Sequence, residues 1–177
     1  MPVTLIRHTT PDIESGICYG STDLNVAATF GEEAAKVVDS LGACDRLVSS
    51  PLQRCYLLAL EIGKHFGREI TVDNRLREMD FGNWEGRAWS EIGKTEVGAW
   101  SKNFLHARPH GGESVAMLRD RAHQAIAHYS KNKDEIVMVT HSGIIRSLLA
   151  TGDTATDFNA EVDFGGIVQL DTQGSFL

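Results

Sequence analysis

Short apolar runs alternate along the chain with longer stretches in which apolar residues recur at helical spacing. Strands are predicted at 3–7, 47–49, 69–72, 135–140 and 166–170, and helices at 27–41, 50–67, 115–126 and 144–150. Because the strands alternate with helices, the pattern predicts an α/β fold with three layers, in which helices cover both faces of a mainly parallel sheet. We find no repeat and no linker, so residues 1–177 are expected to form a single domain.

The second predicted helix has a well-marked start. Ser50 is a residue type that caps helices, Pro51 suits the first helical position, and Gln53 stands three residues after Ser50. This spacing predicts a capping box that begins the helix at Ser50, and the apolar spacing carries it to Gly67.

Residues 73–112 lack a clear period and contain Trp84, Trp89 and Trp100 among charges and glycines. A polar, irregular segment of this length favours a lid or cap, in which residues 84–112 cover a site. The tryptophans are expected to pack in the core or the lid, and one of them could border a nucleoside-like substrate.

The net charge of −7 gives no support for nucleic acid or a membrane surface as partner, since both favour a basic face. An anionic small molecule would therefore have to be held by local positive groups. Cys18, Cys44 and Cys55 are too few and too scattered for a disulfide framework or a zinc knuckle. With no signal segment and no apolar run of about 18 residues, we expect a cytoplasmic protein with reduced thiols. No oligomeric state is predicted.

Four charged or titratable side chains follow predicted strands. Arg7 and His8 end the first strand, Arg54 lies in the first turn of the helix after the second, and His141 follows the strand at 135–140. Ligands of open α/β sheets bind beyond the carboxyl ends of the strands, where helix N-termini also present free N–H groups. These side chains are therefore expected to converge on one anion pocket.

This set of side chains suits phosphoryl transfer, in which catalysis is mostly positioning and charge stabilisation. The guanidinium of Arg7 or Arg54 can bind two phosphate oxygens at once. A neutral imidazole such as that of His8 can act as nucleophile, and His141 can stabilise the transferring oxygens. Both rings should then lie close together and within reach of solvent. Glu78 is the expected acid for the leaving group, in competition with Asp80 and Glu85.

Five motifs resemble, in order, those of the histidine phosphatase superfamily, the phosphoglycerate mutase-like group. They are L-I-R-H-T at 5–9, S-P-L-Q-R at 50–54, L-R-E-M-D-F-G-N-W-E-G at 76–86, G-E-S at 112–114 and V-T-H-S-G at 139–143. With D-F-G at 163–165, the resemblance covers nearly the whole chain. It implies that His8 is phosphorylated, that Arg7, Arg54 and His141 complete the phosphate pocket, and that Glu78 donates the proton. It also implies a phosphoglycerate mutase-like sheet flanked by helices and no requirement for a metal or another cofactor.

The opening motif departs from the usual family pattern. Thr9, Thr10 and Pro11 stand where the family has glycine, an acidic or amide residue, and Thr or Ser. Glu14 falls near the place of an asparagine that often contacts phosphate, so no residue is assigned to that contact. Together with G-I-C-Y-G at 16–20, R-H-T-T-P at 7–11 resembles the alpha-ribazole phosphatase branch, which acts in assembling the lower nucleotide loop of cobalamin. The resemblance implies a phosphatase for a small phosphorylated metabolite, with alpha-ribazole 5′-phosphate as the candidate.

Other functions remain open at this point. A phosphoglycerate mutase or a broad-specificity phosphatase would use the same pocket, and a catalytically silent module would bind phosphate without hydrolysing it. A metallohydrolase could in principle use His8, His141, Glu78 and Asp80, but no spacing such as H-x-x-x-H is present.

Some further polar residues have no clear role. Glu113 and Ser114 either begin a helix or contact the substrate. The remaining histidines without motif context are expected at the surface, namely His106, His110, His123 and His128.

Overall fold

The computed structural model describes residues 2–131 and 134–171. The strands are β1 (Pro2–Arg7), β2 (Arg46–Ser49), β3 (Ile70–Val72), β4 (Ile136–Thr140) and β5 (Ile167–Asp171). The helices are α1 (Phe30–Ser40), α2 (Gln53–Phe66), α3 (Trp89–Ile92), α4 (Lys94–Lys102), α5 (Val115–Tyr129) and α6 (Ser142–Leu149). The strands form one sheet in the order β3-β2-β4-β1-β5. β1 to β4 pair in parallel and β5 pairs antiparallel with β1, so the predicted mainly parallel sheet is confirmed.

Alternate residues of the central strands enter two separate cores. On one face Leu5 and Met138 pack with α5 and α6, and on the other Ile6 and Val139 pack with α1 and α2. Because successive side chains of a strand point to opposite faces, a strand covered on both sides is buried throughout, as β4 is. The three-layer arrangement predicted from the sequence is therefore confirmed.

The register of the sheet brings three loop starts together. Arg7 is paired with Thr140, and the N–H of His8 donates to the carbonyl of Thr140 over 3.0 Å. On the other side of β4, the N–H of Ser50 donates to the carbonyl of Val139 over 2.9 Å. The chain segments that leave β1, β2 and β4 therefore start side by side at one edge of the sheet.

The second helix begins later than predicted. Its N-cap is Leu52, which makes no side-chain capping bond, and the helix starts at Gln53. The predicted capping box at Ser50 is wrong: the Ser50 hydroxyl accepts the N–H of Leu52 over 3.3 Å, before the helix begins, and bonds the imidazole of His141 over 2.8 Å. The Ser50 side chain, which the local sequence predicted as a cap at the N-terminus of the helix, thus makes a tertiary contact.

The segment 73–112 is less irregular than expected, since it contains α3, α4 and two short 3-10 turns. Trp84 is buried against Cys18 and Ile92, and its indole N–H donates to Glu96 over 2.8 Å. These contacts give the segment a small core of its own beside the main cores.

All three cysteines are free and buried. Among the helices of the described residues, none has the length and apolar character needed to cross a bilayer.

Arg121 on α5 ties that helix to the segment after β3. Its guanidinium forms a two-pronged ion pair with Glu113, at 2.7 and 2.8 Å. It also donates to the carbonyls of Arg75 and Arg77, each over 2.6 Å, and to the carbonyl of Glu78 over 3.1 Å. One side chain therefore fixes the backbone that carries Glu78.

Replacing Arg121 by Met should lower the free energy of unfolding by about 3 kcal/mol, because it leaves Glu113 and three carbonyls without their donor. Urea denaturation measures this change. The matched control is Arg119→Met on the same helix, which removes the more exposed ion pair with Asp153 and should cost less than about 1 kcal/mol. Equal losses in the two variants would contradict this account of Arg121.

Candidate active site

His8 is held in one tautomer at the end of β1. Its Nδ1 lies 2.7 Å from the carbonyl of Thr9, and a carbonyl can only accept, so Nδ1 carries the proton. Nε2 therefore has a free lone pair, which accepts a hydrogen bond from Nε of Arg54 over 3.3 Å. Burial, together with the charge of Arg54, lowers the pKa of His8 to about 3. The ring is thus a neutral imidazole with Nε2 available as a nucleophile.

Arg54 is the second residue of α2 and is fully buried. Besides the bond to His8, its guanidinium donates to the carbonyls of Thr22 and Gly20 over 2.8 and 2.7 Å. Within residues 2–131 and 134–171, neither Arg54 nor Arg7 forms an ion pair with a carboxylate. A buried cation without a counter-ion is costly, so an anion bound at this point would be strongly favoured.

Arg7 is half-buried on the other side of His8. Its Nη1 donates to the carbonyl of Val162 over 2.6 Å, and burial lowers the pKa of its guanidinium. The phenol of Tyr19 lies within electrostatic reach of Arg7, and burial raises the pKa of that phenol. Tyr19 also contributes to the cavity beside His8, and its sequence motif gave no sign of such a place.

His141 meets His8 as expected, with ring centroids 5.1 Å apart and the rings at 61°. The expectation that both rings reach solvent is wrong for His141, which is fully buried, while His8 is 2% exposed and is reached only through the cavity that it lines. Its Nε2 is covered by the Ser50 hydroxyl at 2.8 Å and the Cys55 thiol at 3.3 Å. Burial, with His8 and Arg54 nearby, lowers the pKa of His141. Contact between His141 and a group bound at His8 therefore requires a local shift of the ring or of its cover.

Glu78 faces the same site from the segment after β3. Its Oε1 accepts the N–H of Met79 over 2.9 Å, and its Oε2 accepts the N–H of Gly143 over 3.0 Å. A Cβ on Gly143 would overlap the Glu78 carboxylate, so any other residue at this position would displace the carboxylate. Gly143, at the start of α6, thus positions this carboxylate in two ways: its N–H donates a hydrogen bond, and the absence of a side chain leaves space for the carboxylate.

Asp80 and Glu85, the two alternatives to Glu78 as the acid for the leaving group, lie outside the cavity beside His8. Asp80 is exposed and accepts the N–H of Gly82 over 2.8 Å, outside the His8 cavity. Glu85 accepts hydrogen bonds from Ser21, from the N–H of Thr22 and from the N–H of Phe81. Glu85 therefore ties together two loops, and only Glu78 of the three contributes to the His8 cavity.

A cavity of about 450 Å³ opens beside His8 and Glu78. Aromatic rings form one side of its wall, and the polar side chains of Ser142, Arg146 and Asn159 also contribute. The rings come from the segment 81–104 and the turn before β5: Phe81, Trp89, Trp100, Phe104 and Phe158. Sequence spacing gave only the weak hint that a tryptophan could border a ligand. We refer to this space as the His8 cavity.

The other polar residues are settled by their contacts. Ser114 caps α5 by accepting the N–H of Met117, and Glu113 pairs with Arg121, so both serve the helix start.

The surface prediction is wrong for His110, which is fully buried against Phe81 and Trp84, with Nδ1 accepting the N–H of Gly112. His106 and His128 are exposed, and His123 is half-buried. Among the described residues, no three His, Cys, Asp or Glu side chains gather as a metal site would need.

The buried neutral state of His8 links stability to pH. In the unfolded chain His8 takes up a proton near its ordinary pKa of 6.5, whereas the folded chain resists protonation until about pH 3. Between these values the unfolded state binds more protons, so the free energy of unfolding falls as the pH falls. The lowered pKa of His141 acts in the same direction.

The contribution of His8 should be about 2 kcal/mol smaller at pH 5 than at pH 7.5. Urea denaturation of the wild type and of His8→Gln across this range measures it, and His8→Gln should give a clearly flatter dependence on pH. His106→Gln is the control, since this exposed ring is solvated in both states. A His8→Gln variant with the wild-type slope would refute the assignment of a buried neutral ring.

Comparison with known proteins places this geometry in a family. The model of the histidine phosphatase superfamily (branch 1) matches residues 3–174. A glucosyl-3-phosphoglycerate phosphatase of Mycobacterium tuberculosis is 30% identical over 164 residues, which cover 84% of this chain and 73% of that protein.

Solved structures agree with the family match. A mycobacterial glucosyl-3-phosphoglycerate phosphatase in complex with VO3 superposes with a TM-score of 0.85 at 26% identity, covering 96% of this chain and 92% of that one. The alpha-ribazole phosphatase of Shigella flexneri gives a TM-score of 0.85 at 24% identity, covering 98% of this chain and 92% of that one, and this likeness shows the fold alone. This chain belongs to the histidine phosphatase superfamily (branch 1), as its motifs indicated, and it is a phosphatase of that family.

Proposed function

We propose that the chain hydrolyses a small phosphomonoester through a phosphohistidine formed on Nε2 of His8. The observation that carries the proposal is the pairing of this neutral nitrogen with the buried guanidinium of Arg54, for which the described residues offer no carboxylate partner. A phosphoryl group at this point would supply the missing negative charge. Arg7 and Arg54 would bind its oxygens, and His141 would join them after the local shift described above.

In the first step the Nε2 lone pair forms a bond to phosphorus, and the bond between phosphorus and the ester oxygen breaks. Glu78, entering this step as the carboxylic acid, gives its proton to the departing oxygen, so the alcohol leaves neutral. Within the described part of the chain each Glu78 oxygen accepts one backbone N–H, which leaves a lone pair for the proton.

In the second step water attacks the phosphorus of the phosphohistidine, and the bond between phosphorus and nitrogen breaks. Glu78, now a carboxylate, takes a proton from that water, which returns it to the acid form. His8 recovers its lone pair and inorganic phosphate leaves. The Thr9 carbonyl keeps the proton on Nδ1 throughout, so the ring returns in the reactive tautomer.

The nucleophile is tested by His8→Ala, which should lower kcat by about 10⁴-fold or more because no other group replaces Nε2. Rapid quench with radiolabelled substrate should trap an acid-labile phosphoprotein in the wild type and none in the variant. His106→Ala is the matched control and should retain full activity.

The same preparation separates the alternatives. Vanadate should inhibit and EDTA should not. Loss of activity on chelation, restored by a divalent metal, would overturn the phosphohistidine mechanism in favour of a metallohydrolase. With 3-phosphoglycerate and a bisphosphoglycerate primer, formation of 2-phosphoglycerate without free phosphate would indicate a mutase. Binding of phosphorylated ligands without turnover would indicate a silent module.

For the substrate we propose alpha-ribazole 5′-phosphate, a nucleotide with a flat aromatic base. Two observations support this choice: the R-H-T-T-P and G-I-C-Y-G motifs, and the aromatic wall of the His8 cavity. A flat base can pack against rings such as Trp89 and Phe158, whereas glycerate or serine would leave that wall exposed to water.

A panel of phosphomonoesters tests the substrate. Alpha-ribazole 5′-phosphate should exceed ribose 5-phosphate in kcat/KM by roughly 10- to 100-fold, because the two share a leaving hydroxyl and differ only in the base. Glucosyl-3-phosphoglycerate, phosphoserine and 3-phosphoglycerate complete the panel.

Trp89→Leu should lower kcat/KM for alpha-ribazole 5′-phosphate relative to ribose 5-phosphate, without changing the turnover of ribose 5-phosphate. Trp89 is suitable for replacement because it is 38% exposed and lies outside both main cores, where its ring contacts those of Phe81 and Trp84. A flat profile across the panel would remove the substrate assignment and leave the mechanism in place.

A further inference from the structure

A short segment before β5, residues 162–166, is bound to the end of β1. The N–H of Gly165 donates to the carbonyls of Arg7 and His8, each over 3.1 Å, and the N–H of Arg7 donates to the carbonyl of Gly166 over 3.0 Å. We call residues 162–166 the strap. Its backbone fixes the backbone of the two residues that carry the proposed chemistry.

The strap also fixes the side chain of Arg7. The carbonyl of Val162 accepts Nη1 over 2.6 Å, and the ring of Phe164 lies against the guanidinium with 3.8 Å from Cζ to the ring centroid. Nε of Arg7 is buried and has no hydrogen-bond partner among the described residues. The strap thus supplies two contacts that orient the guanidinium, and the Tyr19 phenol interacts with it from outside the strap.

The position of Phe164 is unusual for a large apolar side chain. The residue is 38% exposed and belongs to neither main core. The same ring lies 5.6 Å from the ring of His8, between centroids, at 41°. Phe164 therefore contacts both residues at the end of β1 while contributing little to either core.

We propose that Phe164 is a positioning residue that holds the Arg7 guanidinium in the plane from which it binds the phosphoryl group. The inference rests on the proposed function, in which Arg7 binds phosphate oxygens. A guanidinium stacked on an aromatic face keeps its N–H groups free in that plane, and the ring quadrupole attracts the charge. Phe164 acts through Arg7, so losing its aromatic face weakens phosphate binding rather than the fold.

The test compares Phe164→Leu, which keeps an apolar side chain but loses the ring, with Phe164→Tyr, which keeps the ring. Phe164→Leu should raise KM for the phosphomonoester and Ki for vanadate by about 3- to 30-fold. Phe164→Tyr should restore both to near the wild-type values, and kcat should change less than KM in both variants. Tyr56→Leu on α2 is the control, since Tyr56 is 37% exposed and lies outside the His8 cavity.

A double-mutant cycle with Arg7→Lys separates positioning from a general structural effect. If Phe164 acts through the guanidinium, Phe164→Leu should weaken vanadate binding in the wild type and change it little in Arg7→Lys. The same loss in both backgrounds, or no rescue by Phe164→Tyr, would overturn the proposal. Melting temperatures of all variants are measured beside the kinetics. If the loss of vanadate affinity in Phe164→Leu is explained by a smaller fraction of folded protein, the proposal is also overturned.

The outcomes distinguish a failure of the Phe164 proposal from a failure of the proposed phosphatase function. A wild type that hydrolyses no phosphomonoester removes the proposed function. The Phe164 effect is then still measured, as binding of inorganic phosphate by calorimetry. A wild type that depends on His8 but is matched by Phe164→Leu in KM and vanadate Ki removes only the role of Phe164.

Discussion

The site depends on a positive charge that the protein buries without neutralising. The Arg54 guanidinium is fully buried, and its partners are two carbonyls and the imidazole of His8. Carbonyl dipoles offset part of the cost of removing the charge from water, and a carboxylate would offset more. A carboxylate would also occupy the place that a phosphoryl group needs. The same charge keeps a proton off His8, because burial and the nearby Arg54 both lower the pKa of that imidazole. Anion affinity and a neutral nucleophile thus have one cause.

The topology of the sheet brings these groups together. β4 lies between β2 and β1, so the residues that follow the three strands start side by side: Ser50 after β2, His141 after β4 and His8 after β1. Backbone hydrogen bonds to the last residues of β4 set the positions of Ser50 and His8. Parallel strands without this middle neighbour would leave a gap between the two loops. The strand order therefore brings together residues that belong to three separate sequence motifs.

The sequence predicted the parts of the molecule that follow from local rules. The apolar runs of β1 and β4 predicted a covered parallel sheet, and the rule that ligands bind at strand ends brought His8, Arg54 and His141 together. Its errors lie where a tertiary contact overrides a local preference. Ser50 has the sequence of a helix cap, but its hydroxyl covers His141. His110 has no periodic context, yet it fills a space between aromatic rings. The burial of His141 depends on Cys55, one turn into another helix, and no spacing rule connects those two residues.

The chemistry and the choice of substrate are built from different parts of the chain. His8, Arg54 and His141 are fixed by hydrogen bonds at the edge of the sheet, whereas the aromatic walls of the His8 cavity come from the segment 81–104 and the turn at 155–159. The first set tolerates little change, because a shift of one residue in β1 would turn His8 to the opposite face. The second set connects to the sheet mainly through side-chain packing, so its rings can be exchanged while the strand ends keep their geometry. This division explains how relatives named for different phosphorylated substrates share one fold at 24–30% identity with this chain. It follows that the substrate of this phosphatase must be derived from the cavity wall, and the reaction from the strand ends.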